Sequence, residues 1–297
     1  MKKKSAGEIA FQFINGGILL LFTLLCVFPL YYIFINTISD NNLVTTGSVV
    51  FVPKGIHFDN YKQVLQIDGL GQAALISVLR TIIGTVFTLI GTSVLGYTLS
   101  KKEMWGQKFW YRFVIVSMYF NAGLIPWYIT MKNYGLLNNF WAYILPTTVV
   151  PFYLLLFKTF IEQLPPALEE AAAIDGAGFF TRYVRVVLPL CKPILATIAI
   201  FSCVAQWNNF MDTVMLMTKS NLYTLQFVLN TYLKQVDSIT RVLRETASAG
   251  NVNYSNILTA TSVRMTITII VTAPILFVYP FFQRFYVKGV MIGAVKG

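Results

Sequence analysis

The 297-residue chain carries 23 Lys and Arg and 12 Asp and Glu, is 56% hydrophobic and has a mean hydropathy of +0.64. A soluble globular domain needs a far denser charge on its surface, and a disordered chain has far fewer aromatics than the 15% seen here, so both classes are excluded and a membrane-embedded protein remains. The three Cys (Cys26, Cys191, Cys203) show no paired spacing and the one His is His57, which excludes a disulfide framework, a thiolate metal site and an imidazole cluster.

Uncharged runs at 9–39, 81–100, 113–131, 133–157, 193–211 and 265–283 each approach or exceed the ~18–20 residues needed to cross hydrocarbon. They predict an all-α integral membrane protein with six transmembrane helices, at about 13–36, 74–98, 110–130, 140–161, 194–214 and 258–282. The alternating ten-residue pattern of a closed barrel is absent.

In chain order, the opening MKKKS resembles a signal peptide, but the apolar stretch behind it is too long and ends in NTISDNN without a small-residue cleavage site, which predicts a retained first span. The outer segment 37–73 reads first as an ordinary connecting loop, with a docking surface or a pore mouth as the alternative. The second span contains Arg80, about six residues from its outer end and hence roughly 9 Å deep. The third contains Tyr119 and Asn121.

After the fourth span the chain reads PPALEEAAAIDGAGFFTRYVRVVLPLCKP, within the segment 163–193. Pro165 and Pro166 suit the first turn of a helix, Glu169 and Glu170 sit early in it where the dipole favours anions, and Gly176 supplies the positive φ that ends it. A second short helix with Arg182 and Arg185 on its later turns follows, and Leu188-Pro189 breaks it ahead of Pro193. The alanines leave a low-relief surface that another protein can approach closely.

The fifth span reads CVAQWNNFMDTVML, bringing Trp207, Asn208, Asn209 and Asp212 together. The outer segment 215–257 is rich in Asn, Thr, Ser and Tyr and shows little hydrophobic periodicity. The sixth span holds Arg264, again about six residues from its outer end, and a basic tail, 283–297, closes the chain.

With the N-terminus inside, 14 Lys and Arg fall in inner segments and seven in outer ones, the remaining two being Arg80 and Arg264. That twofold bias predicts cytoplasmic N- and C-termini by the positive-inside rule, so the net charge of +11 is a topology signal. No soluble basic stripe with interleaved aromatics exists, so nucleic acid is not an expected partner.

The spacing Glu170-Ala171-Ala172, three residues, Gly176, nine residues, Val186, one residue, Leu188-Pro189 resembles the EAA loop of binding-protein-dependent ABC importer permeases. The Trp207-Asn208-x-Phe210 pattern resembles the maltose-type carbohydrate uptake family at the position of the MalG-like subunit. Tyr119–Ile129 and the tail Gln283–Gly297 are similar to its LplC and YtcP branch. The resemblance covers nearly the whole chain. It implies a single transmembrane domain with the MetI-like ABC importer permease fold, importing oligosaccharides, complex or acidic ones among them, by alternating access in a prokaryotic cytoplasmic membrane. The partners it implies are a second, MalF-like permease, two copies of a cytoplasmic ATPase subunit and an extracytoplasmic solute-binding protein. Glu169, Glu170, Ala171, Ala172, Asp175, Gly176, Leu188 and Pro189 are then the candidate elements of ATPase coupling. The tail 286–297 would reach the ATPase dimer interface, and 218–256 the binding protein.

No G-x-x-x-x-G-K-[ST] loop occurs, so this chain has no recognisable grip on ATP. It is expected to be no enzyme and to bind no cofactor, ATP and Mg belonging to the partner ATPase. A sugar pathway needs hydroxyl-matching polar groups and aromatic faces, which makes Tyr119, Asn121, Trp207, Asn208, Asn209 and Asp212 its candidates; the same residues serve equally as bonds between helices. Arg80 and Arg264 either snorkel or pair with Asp212, or else attract a carboxylated sugar.

Three alternatives stay open. An importer for amino acids or peptides shares the EAA loop. An intramembrane enzyme finds no carboxylate pair and no Ser with a base in any span. An ion-coupled secondary transporter expects central acids, whereas Asp212 is the only acid in a span and lies near its end.

Overall fold

The computed structural model describes residues 6–247 and 261–276, and every regular element among them is helical. The chain divides into two units, 1–68 with 229–273 and 69–228 with 274–297.

In the first unit α1 (Ala6–Thr37) is a 32-residue helix whose apolar side chains stand exposed along most of its length, the surface expected of a helix sheathed in lipid. The segment after it is not a plain connection. Asn36, Thr37, Ser39 and Asn60 are fully buried, and the Asn60 amide donates to the Thr37 carbonyl at 3.0 Å. Asp40 caps α2 (Asn41–Thr45) by accepting from the Asn42 N–H at 2.9 Å, and α3 (Asp59–Leu65) presents Tyr61, whose hydroxyl lies 2.8 Å from that of Thr37. The expectation of an ordinary loop at 37–73 is corrected: short polar side chains close this cap by hydrogen bonding, a pattern that no hydrophobic period reveals.

The second unit is built on α4 (Leu70–Ser100), a 31-residue helix with Ser, Thr and Gly on its buried face. α5 (Gln107–Tyr119) and α6 (Leu124–Asn133) follow. Two 3₁₀ turns (Phe140–Tyr143, Leu145–Thr147) then lead into α7 (Pro151–Ile161). Next come α8 (Ala167–Ile174), α9 (Phe179–Arg182), a π turn (Tyr183–Val187), α10 (Leu188–Leu190), α11 (Lys192–Asn208) and α12 (Met211–Leu216), and α13 (Leu225–Ala247) begins here but belongs to the first unit from Leu229 on. Within the first unit, α14 (Thr261–Leu276) sets Met265 against Ile35, Val44 and Val49. In the second unit Tyr97, Phe157, Ile161, Tyr183, Val187, Cys191 and Ile198 form a buried cluster at the Ser100 end of α4, and Ile76, Met131, Tyr143, Ile144 and Leu216 form one toward its Leu70 end.

The expected spans are interrupted. Among the described residues two helices, Gly7–Thr37 and Leu70–Ser100, are long and apolar enough to cross a membrane unaided, and four if each bent pair counts as one. The predicted third span is split at 120–123, where Asn121 accepts the Gly123 N–H at 2.9 Å and Pro126 in the first turn of α6 lacks a donor. The fourth bends by 43° where Val150 is extended before Pro151. The fifth stops at Asn208 and resumes at Met211. Hydropathy averaged over a window is blind to such breaks. The ends of the predicted sixth span, at 258–260 and 277–282, lie outside the described residues, as do 248–257 of the outer loop and the tail 283–297.

The outer segment also departs from its expected lack of periodicity. α13 runs for 23 residues with Leu225 and Leu229 buried, and Tyr232 continues the i, i+4, i+7 row. The row is diluted by Gln, Asn, Thr and Lys on the other faces.

α4 admits its neighbours through missing side chains. A Cβ at Gly91 would stand 2.5 Å from the Thr148 carbonyl oxygen, which is backbone and unable to give way. Gly91→Ala is therefore expected to destabilise the chain by about 1–3 kcal/mol through overpacking. Gly71→Ala, with nothing within 4 Å of its Cβ, gains helix propensity and raises stability slightly. Thermal unfolding of the two variants in detergent checks the contrast, and equal midpoints would refute it.

Candidate functional site

The two prolines after α7 leave few orphan donors at the start of α8, and the Glu169 and Glu170 N–H groups both bond to the Pro166 carbonyl at 3.0 and 3.1 Å. The helix ends where Gly176 takes φ +81°, with the Ala177 N–H closing onto the Ala172 carbonyl at 2.9 Å. The break predicted at Leu188-Pro189 falls instead at Cys191, because Pro189 sits in the first turn of α10, where its missing N–H costs no bond. There the axis of Phe179–Leu190 turns by 78° from that of Lys192–Asn208.

α8 has two faces. Glu170, Ala171, Ala173, Ile174 and Asp175 are exposed, Ile174 at 87%. Glu169 and Ala172, three residues apart, point the other way and are half-buried. The Tyr97 hydroxyl donates to Glu169 Oε1 at 2.5 Å, and Lys101 Nζ pairs with Glu169 Oε2. The Lys101 ammonium also lies 4.5 Å over the Tyr97 ring. Burial raises the Glu169 carboxyl, but the hydrogen bonds from Lys101 and Tyr97 and the nearby charges outweigh it and hold the group below the ordinary carboxylate range. Beside this contact opens a cleft of about 610 Å³, lined by Lys101, Lys102, Glu162, Glu169, Phe179 and Arg182 among others. Arg182 Nε is buried and has no hydrogen-bond partner among the described residues.

A second polar centre sits on the same helix toward Leu70. Arg80 is 1% exposed, so the snorkelling alternative does not apply to it. Its Nε donates to Gln206 Oε1 at 2.9 Å, its Nη1 donates to the Asn209 carbonyl at 2.8 Å, and its Nη2 pairs with Asp212. Its guanidinium stacks 4.5 Å from the centre of the Tyr143 ring. Asn209 donates to Asp212 Oδ2 at 3.0 Å, and Gln206 Nε2 donates to Thr147 at 2.7 Å. The Tyr143 hydroxyl shares a bond with Thr213 at 2.9 Å and donates to the Leu222 carbonyl at 2.8 Å. Arg264 does not pair with Asp212; its partner is Asp237.

The remaining candidates scatter. Tyr119 is 80% exposed and Asn121 shapes the break after it, whereas Trp207 is buried and Asn208 exposed. The structure therefore brings Asn209 and Asp212 to Arg80, and leaves Tyr119, Asn121 and Asn208 apart from them. Gln206, Tyr143, Thr147, Tyr97 and Lys101 are absent from the sequence-derived set. The one available signal was the i, i+4 spacing of Tyr97 and Lys101 at the end of a span.

Residues 92–292 match the family model described as the binding-protein-dependent transport system inner membrane component. The chain is 31% identical, over 97% of its length and 98% of the relative's, to the polygalacturonan/rhamnogalacturonan transport system permease protein YtcP of Bacillus subtilis. It is 35% identical to Protein LplC of Bacillus subtilis, over 91% of this chain and 90% of that one. Among solved structures it is similar to a bacterial ABC transporter involved in the import of the acidic polysaccharide alginate, with a TM-score of 0.78, 28% identity, and coverage of 96% of this chain and 100% of that one.

Because Arg80 and Asp212 answer each other's charge, removing either alone strands a buried ion. Arg80→Met and Asp212→Asn are each expected to cost about 3–5 kcal/mol, and the double variant far less than their sum. A double-mutant cycle by thermal unfolding measures this, and additive costs would exclude the pairing.

Proposed function

The chain belongs to the binding-protein-dependent transport system inner membrane components, and from that premise we propose the substrate that it passes and the assembly in which it works. It is a permease subunit of an ATP-driven sugar importer, and ATP hydrolysis belongs to a separate subunit. Its cargo is an acidic oligosaccharide. The observation that carries this reading is that two similar proteins are named for polygalacturonan and for alginate, polymers whose sugars bear carboxylates.

One such permease lines only one side of a pathway, so a second, MalF-like permease completes it. Two copies of a cytoplasmic ATPase dock below, and an extracytoplasmic binding protein delivers sugar from outside. The six spans are α1, α4, the α5–α6 pair, the bent segment ending in α7, the α11–α12 pair, and the segment containing α14, with both termini cytoplasmic. Glu170, Ala171, Asp175 and Gly176 face the ATPase, supported by the exposure of that side of α8. Leu188 and Pro189 brace the turn into the fifth span. ATP binding closes the ATPase dimer, α8 moves with it, and the spans swing between inward- and outward-facing states. Tyr119, Asn121 and Asn208 are the pathway candidates. Trp207, Asn209 and Asp212 belong to its frame. Since Arg80 and Arg264 are each paired within the chain, substrate charge is selected chiefly on the binding protein.

Affinity purification from gently solubilised membranes tests the assembly: one further permease and two ATPase copies are expected with each chain. Recovery of this chain alone, under conditions that preserve a known ABC importer, would overturn the reading. A Cβ at Gly176 meets nothing within 4 Å, so Gly176→Val acts through backbone strain alone, about 1–2 kcal/mol at this φ. It is expected to leave the spans folded and to separate ATP hydrolysis from uptake, with Gly176→Ala intermediate. Normal uptake by Gly176→Val would remove the role of the turn. Uptake of oligogalacturonides against neutral oligosaccharides of the same length tests the substrate class.

A further inference from the structure

We propose that the two neighbouring glutamates of α8 divide the work: Glu170 faces the ATPase, while Glu169 is a positioning residue that, with Tyr97 and Lys101, locks α8 to the end of α4. The proposal rests on reading α8 as the coupling helix. Adjacent helical residues point about 100° apart, so a docking partner on the exposed face of Glu170, Ala171 and Ile174 cannot also hold Glu169. Glu169 is already answered from within the chain, accepting the Tyr97 hydroxyl on one oxygen at 2.5 Å and the Lys101 ammonium on the other. A carboxylate held by two donors, one of them charged, is the stronger kind of hydrogen-bonded contact.

Tyr97 grips the rest of the segment as well. Its ring meets Phe179 of α9 at 4.7 Å and Tyr183 of the π turn at 5.1 Å, and Tyr183 bonds to Ser93, one turn back on α4, at 2.8 Å. One residue at the end of a long helix thus touches both halves of the turn around Gly176. An eight-residue helix is too short to hold a direction by its own hydrogen bonds, so its coupling to the spans depends on such anchors. A push on α8 then moves α4 as one body. Without the lock, α8 follows the ATPase while α4 lags.

The test uses the whole importer in proteoliposomes, reading how much ATPase stays bound and how many ATP are hydrolysed per sugar moved. Glu169→Ala and Lys101→Met are expected to retain the ATPase and to raise the ATP cost per sugar roughly tenfold, the scale set by losing one charged hydrogen bond. Tyr97→Phe acts in the same direction. The exchange of Lys101→Glu with Glu169→Lys is expected to bring the ratio back to within about twofold, which general damage to the fold would not allow. Should Glu169→Ala fail to accumulate in the membrane, Glu169→Gln, which keeps an acceptor for Tyr97, gives a smaller rise. Loss of the ATPase from Glu169→Ala would make Glu169 a docking contact and overturn the proposal, as would an unchanged ratio. Full ATPase binding by Glu170→Arg, on the exposed face, would instead sink the reading of α8 itself, whatever Glu169 does.

Discussion

A guanidinium buried to 1% exposure cannot remain unanswered, and the answer to Arg80 fixes how the spans of the second unit meet. The interruption between α11 and α12 is part of that answer. A helix that stops at Asn208 leaves carbonyls without intrahelical partners, and the Asn209 carbonyl takes the Arg80 Nη1 at 2.8 Å while α12 starts by offering Asp212. Broken backbone at membrane depth is tolerated only where its polar groups are satisfied inside the protein. Here the charge on α4 and the break in the fifth span satisfy each other, and the Tyr143 ring closes the remaining side.

α4 joins this centre to the hairpin of α8 and α9. Arg80 and Tyr97 are 17 residues apart on one unbroken helix, roughly 25 Å along its axis. A continuous helix with both ends fixed by charged or hydrogen-bonded contacts is a stiff element, whereas each of its neighbours is interrupted at least once: the third span at 120–123, the fourth before Pro151, the fifth at Asn209. The network around Arg80 closes the break at Asn209, so α4 is the straight member against which the interrupted ones are set.

The short helix α8 and its turn were legible in the sequence because their signals are local: paired prolines, alanines and a glycine at the turn. The helical class and the second span were legible for a similar reason, since length and hydropathy are properties of contiguous residues. What escaped was set by a single residue inside an apolar window or by partners far along the chain. Asn121 splits a run that averages as one span, and Gln206 meets Arg80 across 126 positions. The cap between α1 and α4 and the amphipathic α13 escaped because polar composition masked order held by hydrogen bonds and by a sparse apolar row. Glu169 and Glu170 are both coupling candidates by sequence, since sequence does not say which way a short helix is rolled.

That roll is the point on which function turns. A helix with a docking surface on one side and nothing on the other would transmit little, because a partner pressing on it would only bend its connections. α8 is held on its inner side by the bonds of Glu169 to Tyr97 and Lys101, and is open on its outer side, where small side chains allow close approach. The orientation follows from the fold, since Tyr97 and Lys101 are delivered to one spot by the end of α4 and leave only one way for Glu169 to face. On the reading of α8 as the coupling helix, the segment depends on its own chain as much as on its partner.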